Sequence, residues 1–256
     1  MVLRIKRYFS DTAVMSGRVL RHTFRSMDTL ISVIVMPVLI MLMFVYVLGG
    51  AMKPGATDYV NYVVPGILMF TILSVVAYTA FRINNDISGG MFDRFHSMPV
   101  SKSAVLGGHV VTSVVFSAVS TVAVLIVAFL VGFRPEAGFF GWLGAAGLML
   151  LFSLALTWMS VTFGLLANSA EGASAFAYPV LGLLFISSAF APTDSMPGVV
   201  KAFAEHQPMT PIIEAARALL MNEPAQNSAW VAVLWCVGIW VFFYAASMRA
   251  YKRKRA

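Results

Sequence analysis

The sequence has 256 residues, of which 59% are hydrophobic and 11% are charged, and its mean hydropathy is +0.83. Soluble domains carry about 25% charged residues, so this composition excludes an ordinary soluble enzyme or binding domain and predicts an integral membrane protein. The net charge is +7. Because the basic residues lie mainly toward the two ends, we interpret this charge as a signal for membrane orientation and expect no nucleic acid partner. Cys236 is the single cysteine, which excludes an intrachain disulfide.

The first 28 residues predict a helix that lies on the membrane surface. Within residues 11–28 the apolar positions recur at helical spacing on one stripe, and the charged positions fall on another face. The apolar positions are Ala13, Gly17, Leu20, Phe24 and Met27, and the charged positions are Arg18, Arg21, Arg25 and Asp28. This pattern is typical of an amphipathic helix on the inner membrane surface. A simple basic anchor before the first span is the alternative. No secretory signal peptide is expected at this end.

Six apolar segments follow, each near the length of about 20 residues that a helix needs to cross a bilayer. They are Thr29–Leu48, Val60–Phe81, Ala104–Val131, Phe139–Ala167, Gly172–Pro192 and Ala229–Met248. Because backbone polar groups must be paired inside lipid, each run predicts a helix. Pro179 interrupts the fifth segment. The expected fold is therefore all-α, with six transmembrane helices in a single domain over residues 1–256 and a bundle over residues 29–248.

The distribution of Lys and Arg predicts the orientation of this bundle. An even number of spans places both termini on one side of the membrane. Of the 18 Lys and Arg residues, 14 fall on the side of the termini, including those of the basic tail 249–256. The cytoplasmic side carries the excess of basic residues in membrane proteins, so both termini are expected in the cytoplasm. The tail would also attract anionic membrane lipid.

A short cytoplasmic segment between the second and third spans, GGMFDRFHSMPVSKS, has the pattern of an amphipathic helix. Ile87, Met91, Phe95 and Met98 follow one another at steps of four, four and three, which places them on one helical face. The polar residues Asp93, Arg94 and His96 lie off that stripe, and Pro99 ends the pattern.

Residues 193–228, on the opposite side of the membrane, form too long a connection to be an idle loop. Thr210 is predicted to be a helix N-cap, with Pro211 at the first helical position and Glu214 near the positive end of the helix dipole. We expect a broken, partly re-entrant helical hairpin that closes the outer end of the bundle. Its beginning is marked by Phe190, Pro192, Met196 and Pro197.

Motifs for chemistry within the chain are missing. The sequence has no G-x-x-x-x-G-K-[ST] phosphate loop, no H-E-x-x-H or cysteine cluster for a metal, and no G-x-S-x-G nucleophile turn. His109, near the inner end of the third span, is interpreted as a hydrogen-bonded interfacial residue. No charged residue falls at the centre of a span, which disfavours a mechanism driven by coupled ions. We therefore expect no catalytic residue, no metal and no cofactor in this chain.

Small residues in the fourth and fifth spans permit close helix packing. They are Gly141, Gly144, Gly147, Gly164, Ala173, Ala177 and Gly182. The sequence leaves open whether these faces pack within one subunit, form a subunit interface or line a transport pathway.

The order of these parts resembles the permease subunit of ABC-2 type exporters, and most closely the daunorubicin-resistance-type drug permeases. Two stretches carry the resemblance, GGMFDRFHSMPVSKSAVLGGHV and SSAFAPTDSMPGVVKAFAEHQPMTPIIEAARALL. One departure concerns the cytoplasmic turn, where family members often have a Glu-Arg-Leu-like triplet. This chain has Phe92, Asp93, Arg94 and Phe95 there.

The resemblance implies a function for each part. The cytoplasmic segment would be a coupling helix that seats on a separate ATP-binding cassette subunit, which would hold ATP and Mg. Its residues would be Met91, Phe92, Asp93, Arg94, Phe95, Met98 and Pro99. The outer hairpin would include Phe190, Pro192, Met196, Pro197, Pro208, Thr210, Pro211, Glu214 and Arg217.

The resemblance also implies an assembly in the bacterial plasma membrane. Two permease subunits, expected to be identical, would pair across their first and fifth spans and export an apolar or amphipathic compound such as a drug, an antibiotic or a lipid-like molecule. One alternative is an ABC-2 exporter of a polysaccharide or glycolipid. The other is a channel or membrane scaffold without ATP coupling.

Overall fold

The computed structural model describes residues 29, 31–50, 58–89, 102–224 and 227–253. In these ranges the chain is helical and contains no strand. The helices are α1 (Ile31–Leu48), α2 (Tyr59–Ser88), α3 (Lys102–Val131), α4 (Phe139–Leu166), α5 (Ala170–Ser174), α6 (Ala177–Phe185), α7 (Gly198–His206), α8 (Met209–Met221) and α9 (Ser228–Arg253). The predicted surface helix of residues 1–28 and the predicted coupling residues Met91–Pro99 lie outside the described ranges.

Five of the helices within the described residues are long and apolar enough to cross a membrane. They are α1, α2, α3, α4 and α9, and they coincide with five of the six predicted spans. The predicted fifth span differs, since α5 and α6 together cover only Ala170–Phe185 and are interrupted between Ser174 and Ala177. Pro179 lies inside the first turn of α6, where a proline costs no helical hydrogen bond.

Helix α2 occupies the centre of the bundle. It contacts α1, α3, α4, α5, α6 and α8, and most of its residues are buried. The main core packs around its first half, where Val63, Ile67 and Met69 are fully buried. Helix α9, by contrast, contacts mainly α4 and α8 and leaves most of its apolar surface exposed. Cys236 is one of its few buried residues.

The bundle has two distinct ends. At one end, the start of α2 meets α8, and the backbone N–H of Glu136 donates to the carbonyl of Leu220 at 3.1 Å. At the other end a second core cluster joins Ile83, Leu106 and Ala250. The C-terminal parts of α2 and α9 and the start of α3 therefore share that second end.

Helix α2 extends seven residues beyond the predicted limit of Phe81, to Ser88. Ile87, which the sequence pattern assigns to the face of the cytoplasmic helix, belongs to the last turn of α2. There it packs against the cluster around Ile83 and Leu106. The structure thus places Ile87 in α2, whereas the other members of the predicted stripe lie outside the described residues.

Candidate functional site at the helical hairpin

The residues of the predicted hairpin form a compact unit at one end of the bundle. The chain leaves α6 at Phe185, passes through a 3-10 turn at Thr193–Ser195 and continues through α7 and α8. Residues Ser187, Ser188, Ala189 and Phe190 are buried although they belong to no helix. Buried main chain outside a helix requires hydrogen-bond partners, and these partners define the site.

Phe190 anchors the turn after α6. Its ring stacks on Phe44 of α1 at 4.3 Å between centroids and lies 5.0 Å from the ring of Phe185. Its carbonyl accepts a hydrogen bond of 2.9 Å from the hydroxyl of Tyr59 at the start of α2. Ala189 packs so closely on α2 that a Cβ placed at Gly66 would lie 2.8 Å from the Ala189 Cβ. The turn is therefore fixed to both α1 and α2.

The prediction that Thr210 caps α8 was wrong. The helix begins at Met209, so Thr210 and Pro211 are its second and third residues. Pro208 holds the N-cap position, and the Oε1 atom of Gln207, one residue earlier, accepts from the N–H of Met209 at 3.1 Å. Thr210 Oγ1 instead faces the turn, 3.4 Å from the N–H of Ser188.

Gln207 joins the end of α6 to the start of α8. Its Nε2 atom donates to the carbonyl of Leu183 at 3.0 Å and to that of Ile186 at 3.4 Å. These carbonyls lie at the C-terminal end of α6, where no helical N–H follows to pair with them. A single buried amide side chain thus pairs the unsatisfied groups of two helix ends.

Arg217 makes the most extensive polar contacts of the predicted hairpin residues. It donates from Nη2 to the carbonyl of Ser188 at 2.6 Å, and from Nε and Nη2 to the carbonyl of Tyr62 at 3.2 Å. Its guanidinium carbon lies 3.8 Å from the centre of the Tyr62 ring, a cation–π arrangement. Burial lowers its pKa, and the neighbouring Tyr62 and Glu214 oppose that change. We call Tyr59, Gln207, Thr210 and Arg217 the hairpin clasp.

Glu214 lies one turn before Arg217 on the half-buried side of α8. Burial raises the pKa of its carboxyl above the ordinary value of 4.5, and the charge of Arg217 opposes this rise. With Arg217, Glu205 and Glu223 it lines a polar cleft of about 530 Å³ between the hairpin and the start of α9. The cleft has an excess of carboxylates, which gives this end of the bundle a negative opening.

The remaining predicted hairpin residues lie at or near the starts of the helical segments of the hairpin. Pro192 precedes the 3-10 turn, and its carbonyl accepts from the N–H of Ser195 at 3.1 Å. Pro197 precedes α7, and its carbonyl accepts from the N–H of Lys201 at 2.8 Å. Pro208 precedes α8. Met196 is half-buried between the two turns.

The structure shows which small residues of the fourth and fifth predicted spans lie against a neighbouring segment of the same subunit. A Cβ at Gly141 would lie 2.6 Å from the carbonyl oxygen of Leu219, and one at Gly164 would lie 2.9 Å from Ile83. Gly144 faces the Leu219 side chain, so these three glycines allow packing inside the subunit. Gly147 and Gly182 have no atom within 4 Å of a built Cβ. Ala173 is fully buried and Ala177 is half-buried.

The opposite end of the bundle, where the chain leaves α2 and re-enters α3, has its own polar contacts. His109 Nε2 lies 3.2 Å from Asp86 Oδ2, which gives the histidine the partner that the sequence led us to expect. Asn84 Nδ2 donates to the carbonyls of Gly164 at 3.1 Å and Ala167 at 2.8 Å, closing the end of α4.

Sequence reasoning missed Tyr59, Tyr62 and Gln207. A glutamine before a helix-initiating Pro-Met-Thr-Pro run is a signal that could have been read as a cap. The two tyrosines gave no comparable signal, because their role depends on contacts with residues more than 120 positions away.

The membrane-length helices and the fastened hairpin define a multi-pass helical membrane protein. Residues 11–221 match the family model described as ABC-2 type transporter, and the chain belongs to this family. It is 29% identical over 245 residues to the daunorubicin resistance ABC transporter permease protein DrrB1 of Streptomyces coeruleorubidus, covering 93% of this chain and 87% of that protein. It is 24% identical over 247 residues to the probable doxorubicin resistance ABC transporter permease protein DrrC of Mycobacterium tuberculosis, covering 96% and 90%.

Proposed function

We propose that this chain is the permease subunit of an ATP-driven exporter that moves an apolar or amphipathic compound out of a bacterial cell. The observation that carries the proposal is the similarity to drug-resistance permeases along nearly the whole chain. ATP and Mg would be bound by a separate ATP-binding cassette subunit.

The proposed contact with that subunit is the segment Met91–Pro99. Helix α2 ends at Ser88 and α3 begins at Lys102, so the segment is attached to the bundle end opposite the hairpin. Phe92, Phe95 and Met98 supply apolar side chains of the kind that anchor protein interfaces. Asp93 and Arg94 would set the register by charge pairing. A surface that docks an ATPase and a hairpin that closes the outer end would then lie on opposite sides of the membrane.

The same arrangement supports a proposed orientation in the membrane. The C-terminal part of α9 lies at the end where α2 reaches Gly89, as Ala250 packs against Ile83 and Leu106. We propose that this end faces the cytoplasm of a bacterial plasma membrane, with both termini inside. The basic tail and the positive-inside rule support this orientation.

We further propose that two identical permease subunits form the pathway. Helix α1 leaves Leu39, Met43 and Val47 exposed, and Tyr178 of α6 is also exposed. These apolar faces suit pairing across α1 and the α5–α6 segment, although lipid would cover them in a single subunit. The uncharged centres of the spans suit an apolar or amphipathic cargo.

A polysaccharide or glycolipid exporter of the same family is the second candidate, and a channel or scaffold without ATP coupling is the third. The names of the relatives favour drug export over glycan export. A purified complex whose ATPase is stimulated by glycolipid and not by amphipathic drugs would favour the second candidate.

The experiment is to purify the tagged chain from its native membrane in mild detergent and identify the proteins that accompany it. We expect a stoichiometric ATP-binding subunit. Phe95→Asp should remove that subunit, because it places a charge on the apolar stripe. Ser97→Asp is the matched control, since it adds the same charge to the same segment off the stripe, and it should retain the subunit. A chain that purifies without any ATPase would contradict ATP coupling and favour the third candidate.

A further inference from the structure

A seam of hydroxyl groups runs between α2, α3 and α4 inside the membrane-spanning part of the bundle. Thr79 Oγ1 lies 3.0 Å from Ser113 Oγ, which lies 3.1 Å from Thr157 Oγ1. All three side chains are buried. In this part of the seam each hydroxyl pairs with another, as buried polar groups in lipid require.

One helical turn farther toward the hairpin the pairing stops. Because α3 and α4 run antiparallel, the positions one turn beyond Ser113 and Thr157 are Ser117 and Ser153. Each is 1% exposed, and neither hydroxyl has a hydrogen-bond partner among the described residues. Both lie close to the middle of their helices, Lys102–Val131 and Phe139–Leu166. They therefore stand near the centre of the membrane-spanning segments.

Other hydroxyls in the bundle show that a serine or threonine in a helix need not be left without a hydrogen-bond partner. Thr71 and Ser74 donate to the carbonyls four residues before them, and so does Thr162. Ser117 and Ser153 make no such bond among the described residues, so neither hydroxyl is committed to its own helix. Leaving two buried hydroxyls unpaired is unfavourable, which favours an occupant that pairs with them.

The two serines line a cavity of about 260 Å³ between α2, α3 and α4. Most of the other described residues that line it are apolar or aromatic, with Leu68, Ile72, Leu125, Trp142 and Met149 among them. Thr121, half-buried and also without a partner among the described residues, adds a third hydroxyl.

The mouth of the cavity opens on the outer surface of the bundle. Val122 and Leu150 lie at its edge and are 57% and 45% exposed. Both belong to helices that are long and apolar enough to span the membrane. A molecule dissolved in the bilayer could therefore enter the cavity without passing through water.

We infer that this cavity is a binding site, reached from the lipid, for a small apolar molecule that carries a carbonyl or hydroxyl group. The apolar body would fill the space beside Leu125 and Met149, and the oxygen would accept hydrogen bonds from Ser117 and Ser153. That such a molecule is the cargo rests on the proposed export function, whereas the pocket itself does not depend on it.

The side chains that line the cavity restrict the class of molecule that it can bind. Among the described residues none that lines the cavity is charged, so these walls offer no ionic partner to a phosphate or an ammonium group. A bare acyl chain would leave both serine hydroxyls unpaired. An apolar compound that carries an oxygen would pack against the apolar walls and pair with the hydroxyls. Small-molecule pockets usually have this character, with apolar walls and a few polar groups that fix the orientation of the ligand.

Benzophenone is a suitable probe for the test. It has an apolar body, one carbonyl that accepts hydrogen bonds, and a photoexcited state that inserts into nearby C–H bonds. The full chain in lipid nanodiscs would be illuminated with benzophenone, and the labelled residues would be identified by mass spectrometry. We expect saturable labelling of the α3 and α4 residues around the cavity, Leu125 and Met149 in particular. Diphenylmethanol should compete with this labelling much better than diphenylmethane, which lacks the oxygen.

Two pairs of substitutions separate recognition from folding. Ser117→Ala with Ser153→Ala should weaken saturable labelling by about tenfold, the effect of losing two hydrogen bonds. Ser120→Ala with Ser160→Ala is the matched control, because these serines are equally buried and unpartnered among the described residues but do not line the cavity. The control should label as the wild type does. Ala146→Phe, at the exposed edge of the cavity, should block labelling by filling the mouth.

The outcomes are distinct for the two proposals. Labelling spread evenly over the lipid-facing helices, or unchanged by Ser117→Ala with Ser153→Ala, would overturn the pocket and leave the ATPase purification test untouched. Specific labelling in a chain that purifies without an ATPase would support the pocket and contradict the proposed export function.

Discussion

Replacing Arg217 with methionine tests whether the hairpin clasp stabilises the bundle. The substitution keeps an unbranched side chain of similar length but removes the donors to Ser188 and Tyr62. The Ser188 carbonyl lies in a buried turn outside any helix, so its lost partner is not replaced by another helical N–H. The cation–π contact with the Tyr62 ring is lost as well.

The expected cost follows from these contacts. Hydrogen bonds from a charged donor contribute about 1.5–3 kcal/mol each, and a desolvated cation–π contact contributes about 0.5–2 kcal/mol. Removing the guanidinium also recovers its desolvation penalty, which is several kcal/mol for a buried ion. The net loss should be about 2–4 kcal/mol, and for a chain of this size that corresponds to a fall in Tm of roughly 5–15 °C.

Thermal unfolding in nanodiscs, followed by intrinsic fluorescence, would measure this change. Arg134→Met is the control, since Arg134 also donates to two carbonyls, of Phe129 and Phe133, but is exposed. Water can replace its hydrogen bonds, so its Tm should change little. Hydrogen exchange should also show faster exchange of the amides of residues 186–190 in Arg217→Met. An equal loss in both variants, or a more stable Arg217→Met, would refute the reasoning.

Three further predictions concern neighbouring positions. Burial raises the pKa of Glu214, so the protonated carboxyl favours the folded state below pH 4.5, and this stability is lost as pH rises through the folded pKa. Glu214→Gln removes the buried charge and should therefore raise Tm at neutral pH. The gain in Tm should shrink as the pH is lowered toward 4.5. Gly66→Ala should lower Tm, because its Cβ would meet Ala189 at 2.8 Å, whereas Gly147→Ala has open space and should raise stability by up to about 1 kcal/mol. Gln207→Leu should lower Tm and speed hydrogen exchange at the Met209 amide, and unchanged exchange there would contradict its capping role.

Five of the long helices could be predicted from the sequence, because runs such as Phe139–Ala167 are uniformly apolar over a membrane thickness. The predicted ends of these helices were less accurate. Helix α2 continues past Phe81 because Asn84 and Asp86 find partners in α4 and α3. Nothing in the local sequence reveals those partners. The fifth segment differs for the opposite reason, since its composition is apolar but its helix is interrupted between Ser174 and Ala177.

The candidate site was predicted in part. The positions of Phe190 and Arg217 in the hairpin were identified, but the start of α8 was misplaced by two residues. Thr210 and Pro211 carry the usual signals of a helix start, and a more distant interaction overrides them. Gln207 caps the helix because it also pairs with the end of α6, a contact that exists only after the hairpin closes. Sequence signals for capping reflect the preferences of neighbouring residues and do not include the stability gained from the contact between Gln207 and the end of α6.

The distribution of unpaired polar atoms separates two uses of polar residues in this bundle. At its ends, Arg217, Gln207 and Asn84 direct their donors to main-chain carbonyls that a helix leaves open, which fastens one segment to another. Within the spans, α3 and α4 contribute six of the nine buried side-chain atoms that lack a partner among the described residues. Three of those six hydroxyls belong to residues that line one cavity, which opens on the surface of the bundle. Packing alone would favour alanine at such positions, so for the three hydroxyls at the cavity we infer a role in binding.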